Sequence, residues 1–218
     1  MAKMADLIDS FNDNSRDTTK WPTFGVGGMT WVEGNGQVTV TPQNPTVASD
    51  DCYLQGDFYD LTGSYASIRI LNVPISTNDI TYALLSLQQS GATNRLEYLI
   101  WKGTVYPKKV VSGTGTDLTS FAYDPTQHKW FKISESGGNC TWWTSANGID
   151  WVSQITVANP ITVTALAPTI EVITWAAGLT NVGTFEYDNF NTGMSDKPSN
   201  YLEYIRVGNG MSRSEMAN

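Results

Sequence analysis

Residues 121–151 constrain the fold more than any other part of this sequence. Strand-like runs within them are separated by turn signals at Asp124-Pro125 and Gly137-Gly138. Proline presets the φ angle that a turn requires, and glycine permits backbone conformations that other residues avoid. A third turn is predicted at Asn147-Gly148, a dipeptide typical of tight β-hairpins. The stretch therefore predicts an antiparallel β-meander.

The rest of the chain continues this pattern. Alternating runs such as 66–73 and 95–102 recur at spacings of about 8–12 residues, which is typical of antiparallel sandwiches. Charged residues make up 16% of the chain and aromatic residues 11%, a balance that argues against disorder. No convincing amphipathic helix is found between residues 20 and 192. We predict an all-β fold, an antiparallel two-sheet β-sandwich of about twelve to fourteen strands.

The charge balance excludes two classes of partner. The formal net charge is −8, and the densest basic patch, Lys108-Lys109, is too small to neutralise a phosphate backbone, so we expect no nucleic acid. No apolar run approaches the roughly 18 residues of a membrane span, so we expect no membrane insertion. No apolar segment typical of a signal peptide follows the first residues, which predicts synthesis in the cytoplasm without export.

The sequence has too few soft ligands for a structural zinc site, with two cysteines and one histidine. The spacing of Cys52 and Cys140 neither requires nor forbids a disulfide, and buried thiols are the preferred interpretation. His128 follows a turn and has no serine or cysteine motif beside it, so we expect a surface or turn histidine.

Residues 193–218 differ in character from the rest of the chain. A linker-like run around Pro198 is followed by a short apolar segment and a polar end. We predict a sandwich domain over residues 1–192 and a C-terminal linker and docking arm over residues 193–218. The apolar residues expected to dock on neighbouring subunits are Tyr201, Leu202, Tyr204, Ile205 and Val207.

Parts of the sequence resemble concanavalin A-like (laminin G-like) jelly-roll domains. The runs 9–13 and 187–190 are similar to the paired terminal strands of that family, and residues 121–151 are similar to its meander. The resemblance covers residues 5–192, and this region is similar in particular to lectin-like domains of bacteriophage virion proteins. It implies a jelly roll with one concave face, which the family often uses for glycans or as an interaction surface. A shared fold does not by itself establish a shared function.

Catalytic carboxylates are the first candidate site. A glycoside hydrolase requires two carboxylates across one cleft. Sandwich glucanases of this fold carry Glu-x-Asp-x-x-Glu on one strand, whereas the comparable run here, Thr169–Trp175, has the single carboxylate of Glu171. We therefore expect no catalytic residue and no enzymatic activity.

Aromatic side chains are the second candidate site, because sugars stack their apolar faces on such rings. The alternative is that the same rings fill the core between the sheets. Two of them, Trp142 and Trp143, are adjacent, so in a strand they face opposite sides and one is expected outside the core. The candidate glycan-binding residues are Trp142, Trp143, Trp101, Tyr98, Tyr82 and Tyr106.

A calcium site is the third candidate. Asp13 and Asp188 are expected to lie close together if the end strands pair, and calcium requires oxygen ligands. The alternative is that these carboxylates are solvated or cap turns. No other cofactor is expected.

The absence of a catalytic motif and the resemblance together predict a non-enzymatic bacteriophage virion structural protein, located in the virion. It would be a minor tail or capsid-decoration subunit that displays a lectin-like face. The expected partners are other virion subunits, in a homo-oligomer or symmetric assembly, and a glycan of the host surface. The alternative is a carbohydrate-binding module that recognises a cell-surface glycan.

Overall fold

A computed structural model of the chain describes residues 1–42, 50–74, 80–91, 93–175 and 183–192. These residues form two antiparallel sheets that pack face to face, so the predicted all-β sandwich is confirmed. The single helical element within them is the short 3₁₀ turn Met4–Asp6. No helix in the described ranges is long and apolar enough to cross a membrane.

The described residues contain fifteen strands, slightly more than predicted. In chain order they are β1 (Thr23–Gly25), β2 (Thr30–Gly34), β3 (Gln37–Thr41), β4 (Asp50–Gln55), β5 (Tyr65–Asn72), β6 (Ile80–Gln89), β7 (Arg95–Trp101), β8 (Thr104–Val111), β9 (Thr114–Asp117), β10 (Phe121–Ala122), β11 (Trp130–Ser136), β12 (Asn139–Ser145), β13 (Val152–Ala158), β14 (Leu166–Thr174) and β15 (Phe185–Asp188).

The strands form two sheets, which we name the front and back sheets. The front sheet has eight strands in the order β1-β4-β14-β6-β7-β8-β10, with β9 also paired to β8. The back sheet has seven strands in the order β13-β12-β11-β5-β15-β3-β2. Neighbours in the order are often distant in sequence, so connections pass repeatedly between the two sheets.

The core lies between the sheets because side chains alternate along each strand. On β11, Phe131 and Ile133 are fully buried while Lys132 between them is only partly buried. Tyr98 of the front sheet packs edge-on against Phe131 of the back sheet, with ring centroids 5.0 Å apart. Each such large apolar side chain contributes about 1.5–3 kcal/mol on burial. Both cysteines are buried thiols.

The predicted meander is divided between the two sheets. Strands β11, β12 and β13 are consecutive neighbours in the back sheet, and Gly137 and Gly138 both adopt positive φ in the β11–β12 turn. The first run of the stretch, β10, instead pairs with β8 in the front sheet. The loop between β10 and β11 makes this crossing and is braced by His128, whose Nδ1 accepts a hydrogen bond from the Asp124 backbone N–H at 3.0 Å. His128 is therefore a partly buried turn histidine.

The predicted pairing of the two ends is reduced to a single antiparallel bridge between Asp9 and Phe190. Their backbone groups exchange hydrogen bonds of 3.0 and 2.7 Å. The predicted docking arm, residues 193–218 with Tyr201, Leu202, Tyr204, Ile205 and Val207, lies outside the described residues and stays a prediction.

Candidate functional site

A pocket of about 420 Å³ opens on the outer face of the front sheet. It lies across strands β14, β6, β7 and β8, near the middle of the sheet. We name it the outer-face cleft, and it is lined by Thr81, Arg95, Glu97, Leu99, Trp101, Lys108, Glu171, Ile173 and Trp175.

Strand alternation brings two carboxylates into this cleft. Glu97 lies on β7, and Glu171 lies on β14 with β6 between the two strands. Two inter-strand spacings place their backbones about 10 Å apart across the sheet. The pairing registers set Glu97 level with Thr169 and Glu171 level with Leu99, so the carboxylates are offset by two residues along the strands.

A β-bulge in β6 lies between these two rows. The register of β6 shifts against both neighbours at this point, because Leu84 is an extra residue relative to β7 and β14. Leu84 and Leu85 are consecutive, yet both are fully buried in the core. Bulges bend and twist a strand locally and are frequent beside functional sites.

Glu97 is a buried carboxylate with one hydrogen-bonding position unused. Only 2% of the residue is exposed, and its Oε2 accepts a hydrogen bond from Arg95 Nε at 2.6 Å. Its Oε1 is buried and has no hydrogen-bond partner. A buried carboxylate oxygen without a partner costs free energy, which makes this atom a candidate acceptor for a hydrogen-bond donor.

The core holds Glu97 in place from beneath. Trp142 is fully buried and its indole Nε1 donates a 3.0 Å hydrogen bond to the backbone oxygen of Glu97. This bond joins β12 of the back sheet to β7 of the front sheet. The position of the carboxylate is therefore fixed by the packing of the sandwich.

Glu171 is the second carboxylate, and its environment favours the protonated form. Burial, with smaller contributions from the nearby charges of Asp51 and Glu97, raises the pKa of Glu171 to about 7, while Arg95 opposes the rise. A carboxyl group with this pKa is about half protonated at neutral pH. The cleft thus contains one carboxylate paired with a guanidinium and one that retains a proton.

Aromatic rings form the walls of the cleft. Trp101 is 41% exposed and Trp175 is 52% exposed. Trp175 donates a hydrogen bond from its indole Nε1 to Thr81 Oγ1 at 2.8 Å, which fixes the ring by its edge. Tyr106 lies in an adjoining pocket of about 220 Å³ that shares Trp101 and Lys108 with the cleft. Exposed indole faces of this kind suit the apolar faces of sugars.

The predicted glycan-binding aromatics are dispersed by the structure. Trp101 and Tyr106 line the cleft and its adjoining pocket. Trp143 faces outward on the back sheet, far from both. A ligand-binding role is excluded for the remaining three because their side chains fill the core and are at most 2% exposed, and these are Trp142, Tyr98 and Tyr82.

The predicted calcium pair has separate partners. Asp13 accepts a hydrogen bond from the Ser15 backbone N–H at 3.2 Å and lies against Glu33. Asp188 accepts one from the Asn189 N–H at 2.6 Å and lies 3.7 Å from Arg69. Within the described ranges, no three His, Cys, Asp or Glu side chains come together as a metal site. The geometry therefore gives no support to calcium at Asp13 and Asp188.

Sequence reasoning missed the pair of carboxylates. The glucanase motif has its carboxylates on one strand, and the comparable strand here has only Glu171. The second carboxylate of the cleft comes from a different strand, β7. The alternation Arg95-x-Glu97-x-Leu99-x-Trp101 places these four residues on one face, which was the available signal. The burial of Glu97 depends on neighbouring strands and leaves no mark in the sequence.

No protein-family model and no curated protein matches this chain. Solved structures do share its fold. A prokaryotic β-1,3-1,4-glucanase (lichenase) derived from a mouse hindgut metagenome is 12% identical with a TM-score of 0.59, covering 84% of this chain and 96% of its own. A laminarinase from Flavobacterium sp. UMI-01 is 12% identical with a TM-score of 0.61 and the same coverages, 84% and 96%.

A third similar structure is the κ-carrageenase from Pseudoalteromonas carrageenovora in complex with an oligotetrasaccharide of κ-carrageenan. It is 12% identical with a TM-score of 0.58, covering 87% of this chain and 93% of its own. At this identity the similarity shows the fold, which is the concanavalin A-like jelly-roll sandwich of these glycoside hydrolases.

Two predictions from the sequence are wrong on this comparison. The similar structures are a β-glucanase, a laminarinase and a carrageenase, which contradicts the prediction of a non-enzymatic phage virion structural subunit. The prediction of no enzymatic activity is contradicted by the same similarities. The predicted homo-oligomeric partners and location stay predictions.

Proposed function

We propose that this chain is a glycoside hydrolase whose active site is the outer-face cleft. The observation that carries the proposal is the pair formed by Glu171, with a pKa raised to about 7, and Glu97, with an unpartnered Oε1, in one pocket. Two carboxylates in unlike environments across one cleft are what glycoside hydrolysis requires.

Glu171 acts as the general acid in this proposal. Its protonated carboxyl group donates a proton to the glycosidic oxygen as the bond between that oxygen and the anomeric carbon breaks. The leaving sugar departs as a neutral alcohol, and Glu171 is left as a carboxylate. Its partly buried position supports this role because burial disfavours the charged form before the reaction begins.

Glu97 acts as the anionic partner. Arg95 Nε holds its Oε2 at 2.6 Å, so the carboxylate is oriented, and its buried Oε1 has no hydrogen-bond partner. The negative charge stabilises the positive charge that develops at the anomeric carbon. A water molecule then forms a bond to that carbon and gives a proton to the Glu171 carboxylate, which restores the acid. Arg95 is a positioning residue, since it acts through Glu97.

The walls of the cleft support a carbohydrate substrate. Trp101 and Trp175 present partly exposed indole faces beside the two carboxylates. The adjoining pocket at Tyr106 extends the same surface, so the cleft accommodates more than one sugar unit. We propose a polysaccharide substrate, the class named for the similar lichenase and κ-carrageenase.

The proposal is tested by measuring the release of reducing ends from a panel of β-glucans and sulfated galactans. We expect turnover by the intact chain, and a fall in kcat/KM of about 10²–10⁴-fold in Glu171→Gln and in Glu97→Gln. Glu186→Gln, on the back sheet, is the matched control and keeps full activity. Because Glu171 must be protonated, kcat falls about tenfold per pH unit above about 7.

Two outcomes contradict the proposal. One is binding of a glycan to the intact chain, measured by calorimetry, with no turnover of any substrate in the panel. The other is turnover that survives in both Glu171→Gln and Glu97→Gln.

A further inference from the structure

Strand β13 forms one edge of the back sheet. It pairs with β12 alone among the strands of the described residues. A sheet edge presents backbone N–H and C=O groups that remain available to another strand. Short strands, charged side chains and bulges are the features that normally block such pairing.

The register identifies which backbone groups face outward. Ala158 lies opposite Asn139, and the Asn159 N–H donates a 2.9 Å hydrogen bond to the Gly138 oxygen. In an antiparallel ladder this pattern makes Ala158 a non-hydrogen-bonded residue with respect to β12. By alternation, the N–H and C=O groups of Thr156 and Ala158 point away from β12, toward the open side.

The other sheet ends carry protection that β13 lacks. Strand β2, at the opposite end of the back sheet, is five residues long. In the front sheet, the end strands β1 and β10 are three and two residues long. Strand β13 is seven residues long, and residues 151–170 around it include no charged side chain. Shortness and charge are the usual means of preventing edge pairing.

One protective feature is present, but it is confined to the start of the strand. The β12–β13 ladder has a bulge opposite Trp142 and Trp143, near Ser153. From Ile155 to Ala158 the register is regular. The outward groups of Thr156 and Ala158 therefore lie on an undistorted segment.

We propose that β13 pairs with β13 of a second copy of this chain, in antiparallel orientation. Such a contact is symmetric, since each copy offers the same strand to the other. The chain carries a net charge of −8, so two copies repel each other, whereas β13 itself has no charged side chain and two such strands meet without like charges.

Exposed apolar side chains beside the edge support the same occupant. Val152, the first residue of β13, is 60% exposed, and Ile149, in the turn before the strand, is 66% exposed. In the pair they lie beside the end of the partner strand and add apolar contact to the backbone hydrogen bonds. The front sheets remain outside this contact, so the outer-face cleft stays open in both copies.

The test uses the full chain in analytical ultracentrifugation, with backbone hydrogen exchange measured over the same concentrations. We expect a monomer–dimer equilibrium in which the amides of Thr156 and Ala158 gain protection as the dimer forms. Thr156→Pro removes one outward donor and keeps the backbone bonds to β12, although it loses the 2.9 Å hydrogen bond between the Thr156 and Thr141 hydroxyls, as the valine control also does. It weakens dimerisation at least about tenfold. Thr156→Val keeps the donor and the dimer, and serves as the matched control.

A second variant guards against misfolding of the proline variant. Val152→Lys places a charge on the exposed start of the edge, and it also weakens the dimer while thermal unfolding is unchanged. A chain that is monomeric at every concentration overturns the proposal. A dimer in which both amides exchange as fast as in the monomer also overturns it. So does protection of these amides that is independent of concentration, because this means that the edge is covered within one chain.

Discussion

The outer faces of the two sheets both carry tryptophans and charged residues, but these residues make different contacts on each face. On the back sheet, Lys132 Nζ lies 3.9 Å from the ring centroid of Trp151 and 5.0 Å from that of Trp143. These rings are therefore already in contact with a cation of the protein itself. On the front sheet, Trp175 is fixed by its edge and its faces remain open, beside a carboxylate oxygen with no partner.

This difference locates the candidate site better than the number of aromatic residues does. Both outer faces contain two tryptophans, and Trp143 was a candidate for glycan binding from its position in the sequence. On the front face, Lys102 Nζ lies 4.7 Å from the ring centroid of Trp101, so this ring has a cation contact like those of the back face. What separates the two faces is Trp175, which is hydrogen-bonded at its edge, together with the unpartnered Glu97 Oε1.

The largest expected effect contrasts the two adjacent tryptophans. Trp142→Ala removes a fully buried ring and its hydrogen bond to Glu97, which lowers the free energy of unfolding by about 3–5 kcal/mol. Trp143→Ala loses the Lys132 contact and a hydrogen bond to Ser134, worth about 1 kcal/mol. Urea denaturation of both variants measures the contrast, and equal losses would show that Trp143 is as important to the core as Trp142.

The next prediction distinguishes the roles of the two glutamates with a raised pKa, Glu33 and Glu171. Burial, a hydrogen bond with Asp13 and the charges of Asp13 and Asp9 raise the pKa of Glu33 to about 8 from 4.5. The folded state then binds a proton that the unfolded state releases, so the free energy of unfolding falls as pH rises from about 4.5 to about 8. Glu33→Gln removes this fall, which amounts to about 2 kcal/mol after allowance for screening.

Denaturation of the wild type and of Glu33→Gln at pH 5 and pH 9 checks this prediction. The two proteins differ more at pH 9, and the variant is the more stable one there. The decline of kcat above about pH 7 is unchanged in the variant because Glu171 causes it. Parallel stability curves, or a changed activity profile, would mean that Glu33 and Glu171 do not have the separate roles assigned to them.

The smallest effect compares one aromatic residue of each outer face. Trp101→Ala weakens glycan binding by about 0.5–1.5 kcal/mol because a stacking surface is lost. Trp151→Ala leaves binding unchanged, although each variant loses a cation contact of its ring, with Lys102 and with Lys132 respectively. Each change is added to the inactive Glu171→Gln protein. Calorimetric titration of the two double variants with the best substrate then measures their glycan binding. Equal binding losses would place a glycan on the back sheet.

Much of the fold follows from the sequence because strands and turns are local signals. The alternation on β7 and the Gly137-Gly138 turn predicted their elements correctly. The assignment of β10 to the front sheet was not predicted, since the turn at Asp124 does not indicate that the chain crosses between sheets. The burial of Tyr82 and Tyr98 was not predicted either, because an aromatic strand residue packs equally well in a core or on a glycan-binding face.

The candidate site was less accessible to sequence reasoning for a physical reason. Glu97 and Glu171 are 74 positions apart in the sequence and become neighbours only through the strand order β14-β6-β7. The pKa of Glu171 depends on its burial and on charges from two other strands, which are Asp51 on β4 and Glu97 and Arg95 on β7. Electrostatic coupling of this kind is a property of the assembled sheet.

The bulge in β6 determines what a ligand meets between the two carboxylates. Leu84 and Leu85 both point into the core, so over two successive residues this strand sends no side chain to the outer face. The floor of the cleft is therefore main chain at that point. Beside it, Ser86 lies between Glu97 and Thr169 in the register, so a larger residue at that position narrows the cleft. The insertion or deletion of a residue in β6 has a different effect, because it shifts the rows of Glu97 and Glu171 relative to each other.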